Sequence, residues 1–246
     1  MHHDHCNHAP PSNSSAFAIG AGLNAAFVVI ELAAGFMAGS LALVADAGHN
    51  LSDVLGLLVA WGASYLSRAR PGGRRTYGLG RTSILAALAN AVLLFIAVGI
   101  IVWEAIGRLR QPAEVQPRVI IVVAAIGVII NTLTALLFVA GRKHDLNVRG
   151  AFLHMAADAA VSLGVVVGGI AISYSRWLWI DPALSLLIAV VIAYGTWDLL
   201  WQALELALDS VPRGIDPDVV RGYLAAQEGA TEEHDLHIWG LSTTET

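Results

Sequence analysis

Six apolar runs, at about 16–38, 41–66, 83–107, 119–141, 150–174 and 183–207, each approach the roughly 20 residues that an α-helix needs to cross a bilayer. In lipid every backbone N–H and C=O must find its partner within the protein, so such runs form helices or close into a barrel. Their Ala, Gly and Leu content favours close helix packing over the alternating pattern of barrel strands. With 56% hydrophobic and only 13% charged residues, and a mean hydropathy of +0.65, the chain stands far from the soluble average of about 25% charged. The first run is too long, and too poor in preceding positive charge, for a secretory signal. The expected fold is an all-α integral membrane protein of six transmembrane helices.

The cations orient it. Arg68, Arg70, Arg74, Arg75, Arg81, Arg142, Lys143 and Arg149 join runs two to three and four to five, against Arg108, Arg110, Arg118 and Arg176 in the other connections. The richer loops are expected in the cytosol, and an even number of spans then leaves both termini there, in the cytoplasmic membrane. Trp61, Trp103, Trp177, Trp179, Trp197 and Trp201 lie towards span ends, where indoles favour headgroups. A lone Cys6 excludes an intramolecular disulfide, and nothing suggests a nucleic-acid surface.

Within these apolar runs two matched pairs stand out, His49 with Asp53 and His154 with Asp158. A spacing of four places both side chains on one helical face. Imidazole nitrogen and carboxylate oxygen both bind zinc-like ions, and two such helices facing each other would supply the four ligands of a tetrahedral site. A helix-stabilising contact, or polar groups joining helices, is the plainer reading of either pair alone. Ionisable groups inside a membrane are costly, and the repetition favours a function.

Asp46, three residues before His49 and close to the same face, either orients the imidazole or relays a proton, or makes a packing hydrogen bond. Glu31 and Asn24 share a face of the first run and either line the pathway or bond to a neighbour. Asn131, Thr132 and Thr134 read as packing contacts, and Asp181 before Pro182 as a helix cap. Asp53 lies about 22 Å along the helix from Arg68, but Asp158 only about 14 Å from Arg149, so the pairs align only if helices project into the cytosol or tilt unequally.

Two flanking segments differ in character. Residues 1–15 place His2, His3, Asp4, His5, Cys6 and His8 ahead of a Pro/Ser stretch, the composition of a flexible metal-capturing arm. Residues 16–208 hold the spans. Residues 209–246 are polar and begin a cytosolic module in which Asp216 caps a helix with Pro217 at its first position, running to about Gln227 before Gly229. Residues 234–239 read as a strand, and so short a module cannot bury a core alone. His144 with Asp145, and His234, Asp235 and His237, are candidates for secondary metal binding, whereas the loop from Arg68 to Arg81 has no His, Asp or Glu.

Several separated segments carry a resemblance in the right order: SLALVADAGHNLSD at 40–53, RRTYGLGR at 74–81, LNVRGAFLHMAADAAVSLGVV at 146–166, WIDPALSLLIA at 179–189, and PRGID with HDLHIW in the tail. From Ser15 onward the chain resembles the cation diffusion facilitator family, which includes zinc transporters. That resemblance implies a homodimer of six-helix subunits exporting divalent metal from the cytosol in exchange for protons, with His49, Asp53, His154 and Asp158 as transport-site ligands. It also implies a ferredoxin-like α/β cytosolic domain, here truncated by loss of its second half. Family members with a histidine in both pairs are similar to the zinc-selective group, although cobalt or cadmium as main substrate stays open.

The exchange has an independent physical basis. Metal ligands must be deprotonated, so ion and protons compete for the same groups, and imidazole titrates near a reference of roughly 6.5. Two carboxylates neutralise a divalent ion, and protons replace it on the return step, with helix rocking exposing the site to each side. A mixed nitrogen and oxygen set favours zinc over magnesium or calcium. An enzyme is not expected: no HExxH occurs, and four protein ligands leave no position for a substrate water. A membrane metal sensor without flux is the other class compatible with these residues.

Overall fold

The computed structural model describes residues 14–67, 72, 78–139, 146–229 and 234–243. The N-terminal His2, His3, Asp4, His5, Cys6 and His8, the cations Arg68, Arg70, Arg74, Arg75, Arg142 and Lys143, the His144–Asp145 pair and the Trp61 side chain lie outside the described residues. Long helices occupy all six apolar runs: α1 Ser14–Ala38, α2 Leu41–Ser67, α3 Thr82–Arg110, α4 Pro117–Phe138, α5 Leu146–Ser175 and α6 Ile180–Ala207. A short α7, Pro217–Ala225, follows. Among the described residues α3, α4, α5 from Arg149, and α6 are long and apolar enough to cross a membrane, while Gly22–Ala38 of α1 is apolar but shorter. Large apolar side chains face outward along them, Trp103 at 81% and Tyr194 at 86% exposure among them, as expected of lipid-facing surface.

The chain divides into two compact units. The first comprises residues 1–50 and 105–185. Here α4 packs against α1 and α5 through a buried stripe of Ile120, Val123, Ala124, Gly127, Asn131, Thr134, Ala135 and Phe138 at helical period. Gly127 sets the approach, because a Cβ there would meet Phe27 Cζ at 2.9 Å and Ser162 Oγ at 3.2 Å. Gly127→Val is expected to cost about 1–3 kcal/mol by overpacking, readable as a lower thermal midpoint in detergent.

The turn from α1 to α2 is closed by several devices. Gly39 takes φ +65, and the Ser40 N–H returns to the Gly35 carbonyl at 3.0 Å, a Schellman ending that favours glycine. Arg108 donates to the Gly39 carbonyl, and the Gln116 N–H to that of Ala38 at 3.0 Å, so the last carbonyls of α1 are satisfied. Asp181 does serve as a cap, but across space. Its carboxylate accepts from Ser40 Oγ at 2.5 Å, Leu41 N at 2.8 Å and Ala42 N at 3.4 Å, holding the start of α2 although it belongs to α6.

The second unit comprises residues 51–104 and 186–246. Phe95 of α3 and Trp197 of α6 meet edge to face with centroids 6.1 Å apart. Asp216 accepts from Asp218 N at 2.9 Å and so starts α7 as its sequence suggests, with Pro217 first. Arg213 bridges Asp198 at 2.7 Å and Glu205 at 3.2 Å, and Arg81 pairs with Asp209. The tail returns to α3, where Thr243 N donates to Ser83 Oγ at 3.1 Å.

One expectation for the tail differs from the structure. No strand is present among the described residues, and 234–240 run without ladder partners, with Asp235 at φ +57. The DLHIW pattern has β-forming residues, but a strand exists only where another strand pairs with it, and the left-handed Asp235 interrupts the extended run at its start.

Candidate metal centre

Helices α2 and α5 carry the two pairs. Each is continuous through its pair, so His49 and Asp53 share one face of α2, and His154 and Asp158 one face of α5. Asp158 is nearly fully buried and sits between both imidazoles: His49 Nε2 lies 3.4 Å from Oδ1, and His154 Nε2 lies 3.6 Å from Oδ2. The two rings stand edge to face with centroids 6.0 Å apart. The side chains of His49 and His154 are 20% and 41% exposed, so the cluster grades from a dry carboxylate to a more accessible imidazole. These separations exceed a good hydrogen bond, and they bring two nitrogens and two oxygens within reach of one small cation.

Asp53 is half-buried one turn beyond His49 on the unbroken α2, in the second unit. Helix α5 begins at Leu146, before the apolar run, and the His49–Asp158 contact puts those two residues at one depth.

Around this cluster lies a second layer of buried polar groups. Asp46 and Glu31 are both fully buried. Ser162 Oγ donates to Asp46 Oδ2 at 3.0 Å, and Asn50 Nδ2 donates to Glu31 Oε2 at 3.1 Å. Asp46 thus makes a hydrogen bond to α5, one of its two open readings. Asn24 donates to Met155 Sδ at 3.6 Å, so it and Glu31 each bond to a neighbouring helix, one of the two readings open to them. Asn131 and Thr134 are buried and their side chains make no hydrogen bond, whereas Thr132 is exposed. Ser162 was not singled out by sequence, although its place one turn beyond Asp158 was a readable signal. In the tail, His234 lies 3.6 Å from its neighbour Asp235 with both side chains exposed, and His237 is exposed.

Residues 18–206 match the family profile described as the cation efflux transmembrane domain. The chain is 36% identical over 241 residues to the metal cation efflux system protein CzcD of Cupriavidus metallidurans, covering 98% of this chain and 75% of that protein. It is 35% identical over 245 residues to the zinc transporter ZitB of Escherichia coli, covering 97% and 78%. It is 32% identical over 239 residues to a cadmium, cobalt and zinc/H(+)-K(+) antiporter of Bacillus subtilis, covering 96% and 77%.

Proposed function

This chain belongs to the cation efflux family, and we propose on that premise that it is a proton-coupled antiporter exporting divalent metal, zinc first, from the cytosol. The transport site is the tetrahedral set of His49, Asp53, His154 and Asp158. The observation that carries this reading is the placement of both imidazoles against the one buried carboxylate of Asp158. Asp53 completes the set from the turn following His49, and its charge with that of Asp158 neutralises the ion. With no sulfur donor, the set favours zinc, and the relatives named for cadmium and cobalt support a wider range of similar ions.

Each ligand must lose its proton before it binds the ion, so cytosolic loading releases protons and protonation on the far side expels the metal. The protein works as a homodimer in the inner membrane with all six long helices spanning the bilayer and both termini in the cytosol. The Arg and Lys bias of its loops supports that orientation.

The test is zinc uptake into reconstituted vesicles under an imposed pH gradient. Uptake is expected when the interior is acidic and to stop when a protonophore collapses the gradient. Acidifying both sides should also suppress it, because protonated imidazoles cannot ligate. Zinc binding without gradient-driven uptake would instead identify a sensor.

A further inference from the structure

The buried carboxyls of Glu31 and Asp46 have no assigned task in the metal site. They come from different helices, both are fully buried, and Asn50, which donates to Glu31 Oε2 at 3.1 Å, lies one turn beyond Asp46 on the same face of α2. Each has one oxygen supplied with a donor, Glu31 Oε2 by Asn50 and Asp46 Oδ2 by Ser162. The remaining oxygens, Glu31 Oε1 and Asp46 Oδ1, accept from no donor group among the described residues. No Lys or Arg among the described residues pairs with either carboxyl. Two neighbouring buried carboxylates without a cation repel strongly, whereas one proton shared by the pair leaves a single charge.

The groups facing this pair are few. Helix α2 contributes His49 and Asn50, and α5 contributes Asp158 and Ser162. Helix α4 presents Gly127 against Ser162 and has no titratable side chain after Arg118. Asp46 lies one turn before His49, and Ser162 one turn beyond Asp158, so the pair and the metal site are neighbours on the same two helices.

We propose that Glu31 and Asp46 form a proton-binding site separate from the metal ligands, sharing one proton that is given up when metal occupies the adjacent site. The step is a plain proton dissociation: one O–H bond breaks, its electron pair stays on the carboxylate, and the proton leaves to water. The metal's positive charge nearby stabilises the doubly ionised pair, and the returning proton weakens metal binding by the same free energy. Exchange is thereby built from two coupled sites as well as from competition for the ligands. This inference rests on the transport site proposed above.

The experiment counts protons released per zinc bound, by calorimetric titration of the full chain in nanodiscs using buffers of different ionisation enthalpy. Glu31→Gln and Asp46→Asn keep the shape and the contacts to Asn50 and Ser162, but neither retains the shared acid proton. Each variant is expected to release about one proton fewer than the unmodified protein, and its zinc uptake should depend less steeply on the pH gradient. An unchanged proton count in both variants overturns the proposal. Should they fail to fold, difference infrared spectra of the unmodified chain decide it. The carbonyl stretch of a protonated carboxyl should be present without metal and lost on zinc loading, and its absence from the metal-free protein overturns the pair. If the unmodified chain binds no zinc, the transport-site reading fails, while the metal-free spectrum still judges the pair.

Discussion

Replacing Asp158 by alanine is expected to reduce zinc flux in reconstituted vesicles by more than about a hundredfold, the upper range found when even an outer partner of a metal ligand is removed. The reason is specific to its position. Both His49 Nε2 and His154 Nε2 approach this one carboxylate, so its loss removes a ligand and the anion that gathers the two imidazoles. The fold should survive, because deleting a buried carboxylate relieves its desolvation, and both imidazoles can remain neutral. A thermal midpoint within a few degrees of the unmodified protein, together with lost flux, is the expected pattern. Asp158→Asn separates charge from shape: it preserves volume but leaves a divalent ion one negative charge short, so flux should fall nearly as far. Flux retained in either variant would place the transport site elsewhere.

The largest effect on stability is expected at the start of α2, the helix that bears His49. Asp181 accepts from Ser40 Oγ, Leu41 N and Ala42 N at the start of α2, in a fully buried setting. Asp181→Ala leaves those donors without their acceptor. Hydrogen bonds to a charged group contribute about 1.5–3 kcal/mol each, offset in part by the carboxylate's own desolvation, so a net loss of about 2–4 kcal/mol is expected. The measurement is a denaturant or thermal unfolding curve in detergent. Asp181→Asn retains an acceptor oxygen and should fall between. If alanine left stability unchanged, the clamp would be incidental to the fold. Because α2 bears His49, a loosened start should also weaken zinc binding, by less than Asp158→Ala does.

Much of this was readable from the residues because the rules involved are local. Apolar length marks a helix wherever the chain places it, so all six long helices lie on the six apolar runs, and Asp216 with Pro217 announces α7 by chemistry contained in adjacent residues. The i, i+4 spacing of each His and Asp pair follows from helical geometry alone. The tail strand was not settled in this way, because a strand depends on a partner that its own residues do not specify. Asp181 was recognisable as a cap by residue type, but which helix it caps depends on where the chain folds back.

The sequence by itself determined that this is a helical membrane chain with two metal-competent pairs, since periodicity, spacing and the cost of polar groups in lipid act within one segment. Only the tertiary structure decided that His49 and His154 approach the same buried Asp158, that Ser162 of α5 binds Asp46 of α2, and that Asn50 of α2 binds the buried Glu31 of α1. These contacts join residues far apart in the chain. Their geometry depends on helix depth and rotation, which are set by packing contacts such as Phe27 against Gly127 and by the Asp181 clamp, and no single span encodes them.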